Sequence, residues 1–180
     1  MRWLTAFNQF VLLYYLYSAA SYLLLMVFSL WGAVRHQRWL RTLSLRQICS
    51  SPFTPPITVL VPAYNEEATI VETVRSLLSL NYPELEVVVV NDGSLDRTLP
   101  RLEEAFGLVR TRQVIAPRLK TRPLRGTYIS PHEPRLLVLD KQNGGKSDAL
   151  NAGLNAATSP YFCAVDADVV LEPDALLRVA

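Results

Sequence analysis

Val87-Val88-Val89-Val90-Asn91-Asp92-Gly93-Ser94-Leu95-Asp96 decides the fold: four β-branched residues in a row run straight into a polar loop that contains a glycine. Such a run fits a strand covered on both faces, the habit of parallel sheets flanked by helices. Upstream, Ile57–Val61 has the same character and runs into Pro62-Ala63-Tyr64-Asn65-Glu66-Glu67. Between the two, Ala68, Ile70, Val71, Val74, Leu77 and Leu78 recur at helical spacing, and Asn81-Tyr82-Pro83 stops that helix. Downstream, Leu95, Leu99, Leu102 and Phe106 mark a second helix, whose regular part begins near Thr98 because Pro100 is tolerated only in a first turn. A short strand is expected within Val109–Ile115, a fourth at Leu136–Leu139 and a fifth at Tyr161–Val165. Ala149, Leu150, Leu154 and Ala157 place a helix between the last two. Strands alternating with helices predict an α/β fold with a mostly parallel sheet and right-handed crossovers.

In an open parallel sheet, ligands bind beyond the carboxyl ends of the strands. Here four strand ends are polar: the two loops already quoted, Asp140-Lys141-Gln142-Asn143-Gly144-Gly145-Lys146-Ser147-Asp148, and Asp166-Ala167-Asp168. Four such ends on one rim predict a single site. Asp166 and Asp168 are two apart at the end of an expected strand, so both carboxylates are expected to face one hard cation. Tyr64 suits stacking on a flat base, or core packing. Asp92 suits acceptance from a base N–H or a ribose hydroxyl. Gly93 and the Gly144-Gly145 pair allow close backbone approach. Lys146 opens a helix, where its charge and the free N–H groups favour phosphate; the plain alternative is a solvated lysine.

Taken in order and spacing, Val61–Glu67, Val90–Asp96, Asn143–Asn151 and Val165–Asp168 resemble the motif series of family-2 glycosyltransferases, over roughly residues 55–180. The apolar amino terminus is similar to the membrane-bound branch of that family, which includes bacterial poly-N-acetylglucosamine synthases. The resemblance implies a GT-A (Rossmann-like) fold and inverting transfer of a sugar from a UDP-sugar, UDP-GlcNAc or UDP-glucose, with Mg²⁺ or Mn²⁺. The acceptor it implies is a growing polysaccharide or a lipid-linked sugar. It places Tyr64 and Glu66 at the uridine with Pro62 and Ala63 beside them, and Asp92 at the uracil. Gly145 and Lys146 fall near the nucleotide or diphosphate, Asp166 at the ribose or diphosphate, and Asp168, with Asp166, at the metal. Two family features have no match here: an acidic general base, which deprotonates the acceptor hydroxyl, and a Gln-x-x-Arg-Trp motif. The base is therefore expected beyond Ala180, and the chain is read as a donor-binding half, truncated in a helix that Glu172-Pro173-Asp174 begins. A non-catalytic, membrane-tethered nucleotide-sugar-binding module or gene fragment is the competing reading.

Composition narrows the classes further. The 180 residues are 50% hydrophobic and 19% charged, which excludes a wholly disordered chain. Residues 1–50 carry five Arg and no acid, so the rest is mildly acidic despite the net charge of +2. A basic head on an acidic domain is not a nucleic-acid binder. Cys49 and Cys163 are too few for a disulfide framework and are read as free thiols. Gly145-Lys146-Ser147 imitates the end of a phosphate-binding P-loop, but the first glycine of that motif would fall on Asp140, whose charge repels phosphate. The loop after the first strand also lacks the Gly-x-Gly of dinucleotide binders.

From Trp3 to Val34 no residue is charged, and Phe10–Val34 is long enough to cross about 30 Å of hydrocarbon. A short tail and transmembrane helix are expected over 1–34, with the helix near 10–34. A basic juxtamembrane helix and Pro-rich linker are expected over 35–56, and the donor-binding domain over 57–180. Arg35, Arg38, Arg41 and Arg46 follow the helix and only Arg2 precedes it. That asymmetry puts the soluble part in the cytoplasm and the amino terminus outside, in the inner or plasma membrane. Trp39, Leu40, Leu43 and Ile48 form an apolar stripe suited to the inner leaflet or to packing on the domain. Arg110–Arg125 holds six basic residues and no acid; it reads as a mobile solvated insertion, with lipid headgroups as a further partner.

Overall fold

The computed structural model describes residues 1–42, 54–112 and 115–179. The chain divides into two units, Met1–Ser44 and Leu45–Ala180. The first is one helix, α1 (Arg2–Thr42). Its stretch Arg2–Arg35, with a mean hydropathy of 1.8, is long and apolar enough to cross a membrane. Leu, Phe, Tyr and Trp side chains are exposed along that length. Two hydroxyls turn back on the helix: Thr5 Oγ1 donates to the Arg2 carbonyl at 2.8 Å and Ser21 Oγ to the Tyr17 carbonyl at 2.9 Å. At the other end the guanidinium of Arg35 stacks over Trp31, 5.7 Å from the ring centre. The expected tail belongs to the helix, which continues without a break to Thr42. The side chains of the stripe Trp39, Leu40, Leu43 and Ile48, the thiol Cys49 and the linker residues through Phe53 lie outside the described residues.

The second unit is a six-stranded sheet in the order β3-β4-β5-β2-β1-β6. Its strands are β1 (Ile57–Ala63), β2 (Leu85–Asn91), β3 (Val109–Thr111), β4 (Leu124–Ile129), β5 (Leu136–Lys141) and β6 (Tyr161–Ala164). β5, β2, β1 and β6 are mutually parallel, and β4 and β3 extend the β5 side antiparallel. The helices are α2 (Ile70–Leu78), α3 (Thr98–Phe106) and α4 (Lys146–Ala156). The expectation of a mostly parallel sheet with flanking helices holds.

Alternation along the strands builds two cores. Val59, Val61, Val87, Val89, Leu136 and Val138 face Val74 and Leu77 of α2 and Leu102 and Phe106 of α3. Leu60, Val88, Val90, Leu137 and Leu139 face Ala149, Ala152 and Ala156 of α4. Each fully buried Val or Leu contributes about 1.5–3 kcal/mol, so these two layers carry the fold. The α4 face is made of small residues because the helix rides close to the sheet: a side chain at Gly153 would begin 3.0 Å from Leu60 Cδ2.

Three expectations are corrected. Leu124–Ile129 is a strand that the pattern did not reveal, so the insertion Arg110–Arg125 begins and ends in sheet. Its middle is held in place: Asn155 Oδ1 accepts from the amides of Arg118 and Leu119, and Asn155 Nδ2 donates to the Leu119 carbonyl. The segment that starts at Glu172 forms turns and a single 3₁₀ turn at Leu176–Arg178, not a helix. β6 ends at Ala164, so Asp166 and Asp168 sit beyond the strand, Asp168 in a turn.

Candidate functional site

Because β1, β2, β5 and β6 are parallel, their carboxyl ends share one rim. Pro62, Ala63, Tyr64, Glu66, Asp92, Gly145, Lys146, Asp166 and Asp168 all line one cavity of about 490 Å³ there. Of the candidate ligand-binding residues read from the sequence, Gly93 and Gly144 are not part of this lining. Asn143, Ala149 and Ala167 complete the lining. Tyr64 is 47% exposed, so its ring is available to a ligand and is not core.

The loop after β1 is stitched to the loop after β2. The amides of Asn65, Glu66 and Glu67 donate to Ser94 Oγ, Thr98 Oγ1 and Asp96 Oδ2. In return the amides of Leu95 and Arg97 donate to Asn65 Oδ1 and Glu67 Oε2. Asn65 reaches this geometry with φ 58°, a backbone state that Asn tolerates better than most residues. These motif residues fix the loops that present Tyr64 and Glu66. Asp96 also receives the amide and hydroxyl of Thr98 at the start of α3. Burial pushes its carboxyl up, but these bonds and the Glu67 amide outweigh that and hold it below the usual carboxylate range.

Asp92 is buried, and its carboxylate already has several donors. Oδ1 accepts from Lys141 Nζ at 2.5 Å and from Gly144 N at 3.0 Å, and Oδ2 accepts from Gly145 N at 2.7 Å. Sequence reasoning missed Lys141, a lysine with no exposed surface. Its ammonium lies 2.5 Å from Asp148 Oδ1 as well and donates to the Gln142 carbonyl. Asp148 accepts the Arg122 amide on both oxygens. Burial alone would raise the Asp148 carboxyl, but Lys141 and the Arg122 amide hold it below its ordinary value. The tightness of this loop demands glycine: a Cβ at Gly144 would stand 2.6 Å from Asp148 Oδ1, and one at Gly93 2.7 Å from the Asn143 amide.

The acidic turn is held from α2. Thr73 Oγ1 donates to the Ala167 carbonyl at 2.8 Å, and Ser76 Oγ exchanges hydrogen bonds with the backbone of Leu171. Asp166 Oδ1 pairs with Lys146 Nζ at 2.6 Å. Asp166 and Asp168 both line the cavity, although not as neighbours on a strand. Among the described residues no three His, Cys, Asp or Glu gather into a metal cluster. Two carboxylates fit a hard cation that takes its other ligands from a phosphate and water. They do not fit a cation held by protein alone.

The family model described as "Glycosyl transferase family 2" matches residues 58–180. Poly-beta-1,6-N-acetyl-D-glucosamine synthase of Staphylococcus epidermidis is 33% identical over 119 residues, 66% of this chain and 23% of that protein. Chondroitin synthase of Pasteurella multocida is 31% identical over 122 residues, 68% of this chain and 10% of that protein. The chain thus spans less than a quarter of the length of these two relatives. Among solved structures, S. aureus TarS 1–349 in complex with UDP-GlcNAc is similar with a TM-score of 0.51 and 27% identity, over 69% of this chain and 30% of that one. The mannosyltransferase PcManGT of Pyrobaculum calidifontis, solved with GDP-Man and Mn²⁺, shares the fold with a TM-score of 0.54 and 24% identity, over 83% of this chain and 40% of that one.

Proposed function

Because this chain belongs to glycosyl transferase family 2, we propose that its second unit binds the UDP-sugar donor of a membrane-anchored glycosyltransferase. The reaction is inverting transfer of a sugar, UDP-GlcNAc or UDP-glucose being the donors favoured, to a growing polysaccharide or lipid-linked acceptor. The observation that carries this reading is the convergence of nine residues from four strand ends on one cavity. The relatives named for polysaccharide synthesis and the UDP-GlcNAc complex of TarS support it.

In this proposal the exposed ring of Tyr64 stacks on the uracil, with Glu66 near the ribose and Asp92 beside the base. Lys146 stands at the amino terminus of α4, where its charge and the helix's free N–H groups draw the diphosphate. Asp168, with Asp166, holds Mg²⁺ or Mn²⁺. That ion would offset the charge that builds on the departing diphosphate. Donor binding is assigned to these residues, and the acceptor base to none of them.

α1 anchors the chain in the inner or plasma membrane, and residues 35–180 face the cytoplasm, a reading supported by the Arg asymmetry and the apolar surface of α1. Titration of the full chain in detergent with UDP and Mn²⁺ tests the donor reading: saturable, metal-dependent binding is expected, and its absence refutes it. Labelling of Cys163 in intact cells by an impermeant thiol reagent would refute the orientation.

A further inference from the structure

We infer that Lys141 is a positioning residue of the donor site: its buried ammonium sets the carboxylate of Asp92, and through it the Gly144-Gly145 loop that forms one wall of the cavity. The inference rests on the donor reading above only for its binding measurement.

The geometry is specific. An ammonium has three donors and no acceptor. Lys141 Nζ donates to Asp92 Oδ1 and the Gln142 carbonyl and forms an ion pair with Asp148 Oδ1. The side chain has no exposed surface. Two carboxylates this close around one point repel each other unless a cation lies between them. Lys141 is the only cation among the described residues that forms an ion pair with either of them.

Asp92 turns that fixed charge into loop geometry. Two consecutive amides, Gly144 N and Gly145 N, converge on its carboxylate. Paired main-chain N–H groups of this kind form an anion cradle. Here the cradle is filled by the protein's own carboxylate. The next residue is Lys146, so the position of this loop also sets where α4 begins and where its N–H groups point. With Lys141 neutral, Asp92 and Asp148 lose their common partner and Asp92 is no longer held beneath the glycines. Lys141 contacts no ligand in this scheme. It acts through Asp92.

The network also extends away from the cavity. Asp148 fixes the Arg122 amide, so the same cation steadies the far end of the basic segment. A carboxamide at 148 can still accept that amide, so Asp148→Asn isolates the Lys141–Asp92 arm.

The test compares the full chain in detergent as wild type, Asp148→Asn, and Lys141→Met/Asp148→Asn, a pair that removes the cation without leaving two facing carboxylates. Amide exchange of Gly144, Gly145 and Gly107 is followed by NMR, together with UDP affinity in Mn²⁺. Gly107 donates to the Glu103 carbonyl at the end of α3 and reports on the fold elsewhere. Expected is at least tenfold faster exchange at Gly144 and Gly145 in the double variant than in Asp148→Asn, with Gly107 unchanged and UDP affinity reduced at least tenfold. Exchange at Gly144 and Gly145 equal to that of Asp148→Asn overturns the inference. So does acceleration of all three glycines together, or loss of folding, since either makes Lys141 a stability residue only. Looser glycines with unchanged UDP affinity overturn its role in the donor site. If the wild type binds no UDP, the donor reading fails and the glycine comparison still decides whether Lys141 sets the loop.

Discussion

Lys146 Nζ lies 2.6 Å from Asp166 Oδ1, which joins the first residue of α4 to the turn after β6. The side chains are 62% and 55% exposed, so water and salt screen the pair and it adds at most about 1 kcal/mol. Lys146→Ala is therefore expected to lower the melting temperature by no more than about 4 °C. UDP affinity is expected to fall about tenfold or more, the effect of removing a charged hydrogen bond to phosphate. Differential scanning fluorimetry and calorimetric titration separate the two outcomes.

Asp168 projects from an exposed turn, so Asp168→Asn costs the fold little. It is expected to abolish the gain in UDP affinity that Mn²⁺ gives the wild type, measured as the ratio of dissociation constants with and without metal. An undiminished ratio removes Asp168 from the metal site.

Thr73 Oγ1 ties α2 to the Ala167 carbonyl in a buried setting. Thr73→Val keeps the shape and removes the donor. It is expected to lower stability in urea by about 1–3 kcal/mol, the usual cost of leaving a buried acceptor unpaired. Metal-dependent UDP binding is expected to weaken with it, because the same carbonyl fixes the turn between Asp166 and Asp168.

Asp96 and Asp148 both have carboxyls held below their ordinary values. Such groups bind fewer protons folded than unfolded at mildly acidic pH, so their contribution is present above the unfolded value of about 4. It is lost as pH falls through the lower folded values. Urea midpoints are expected to show no loss from these groups between pH 7 and pH 5 and a decline below about pH 4. Asp96→Asn is expected to flatten part of that decline.

The parallel strands and the rim were legible because they are local patterns: β-branched runs such as Val87–Val90 end in polar loops, and parallel pairing puts those ends together. β4 was not. Leu124-Arg125-Gly126-Thr127-Tyr128-Ile129 follows two prolines in a polybasic stretch, and its pairing with β5 is irregular between Leu124 and Gly126. The β-forming run Thr127-Tyr128-Ile129 was its one available signal. The stitching residues Asn65, Glu67, Ser94 and Asp96 read as ordinary loop polarity, since their partners lie about thirty positions away. Lys141 stands in the sequence as one more polar residue at the end of the fourth expected strand. Nothing near it in the chain announces that Asp92 and Asp148 close over it.

The sheet's two lateral margins are unequally defended. β3 is three residues long and carries Arg110, a short charged border that discourages strangers. β6 has no strand on its outer side among the described residues and shows Tyr161 and Phe162 at 59% and 56% exposure. A margin of that kind recruits strands from neighbouring molecules. The two exposed rings make this border, rather than the charged one, the side of the described sheet suited to an added strand.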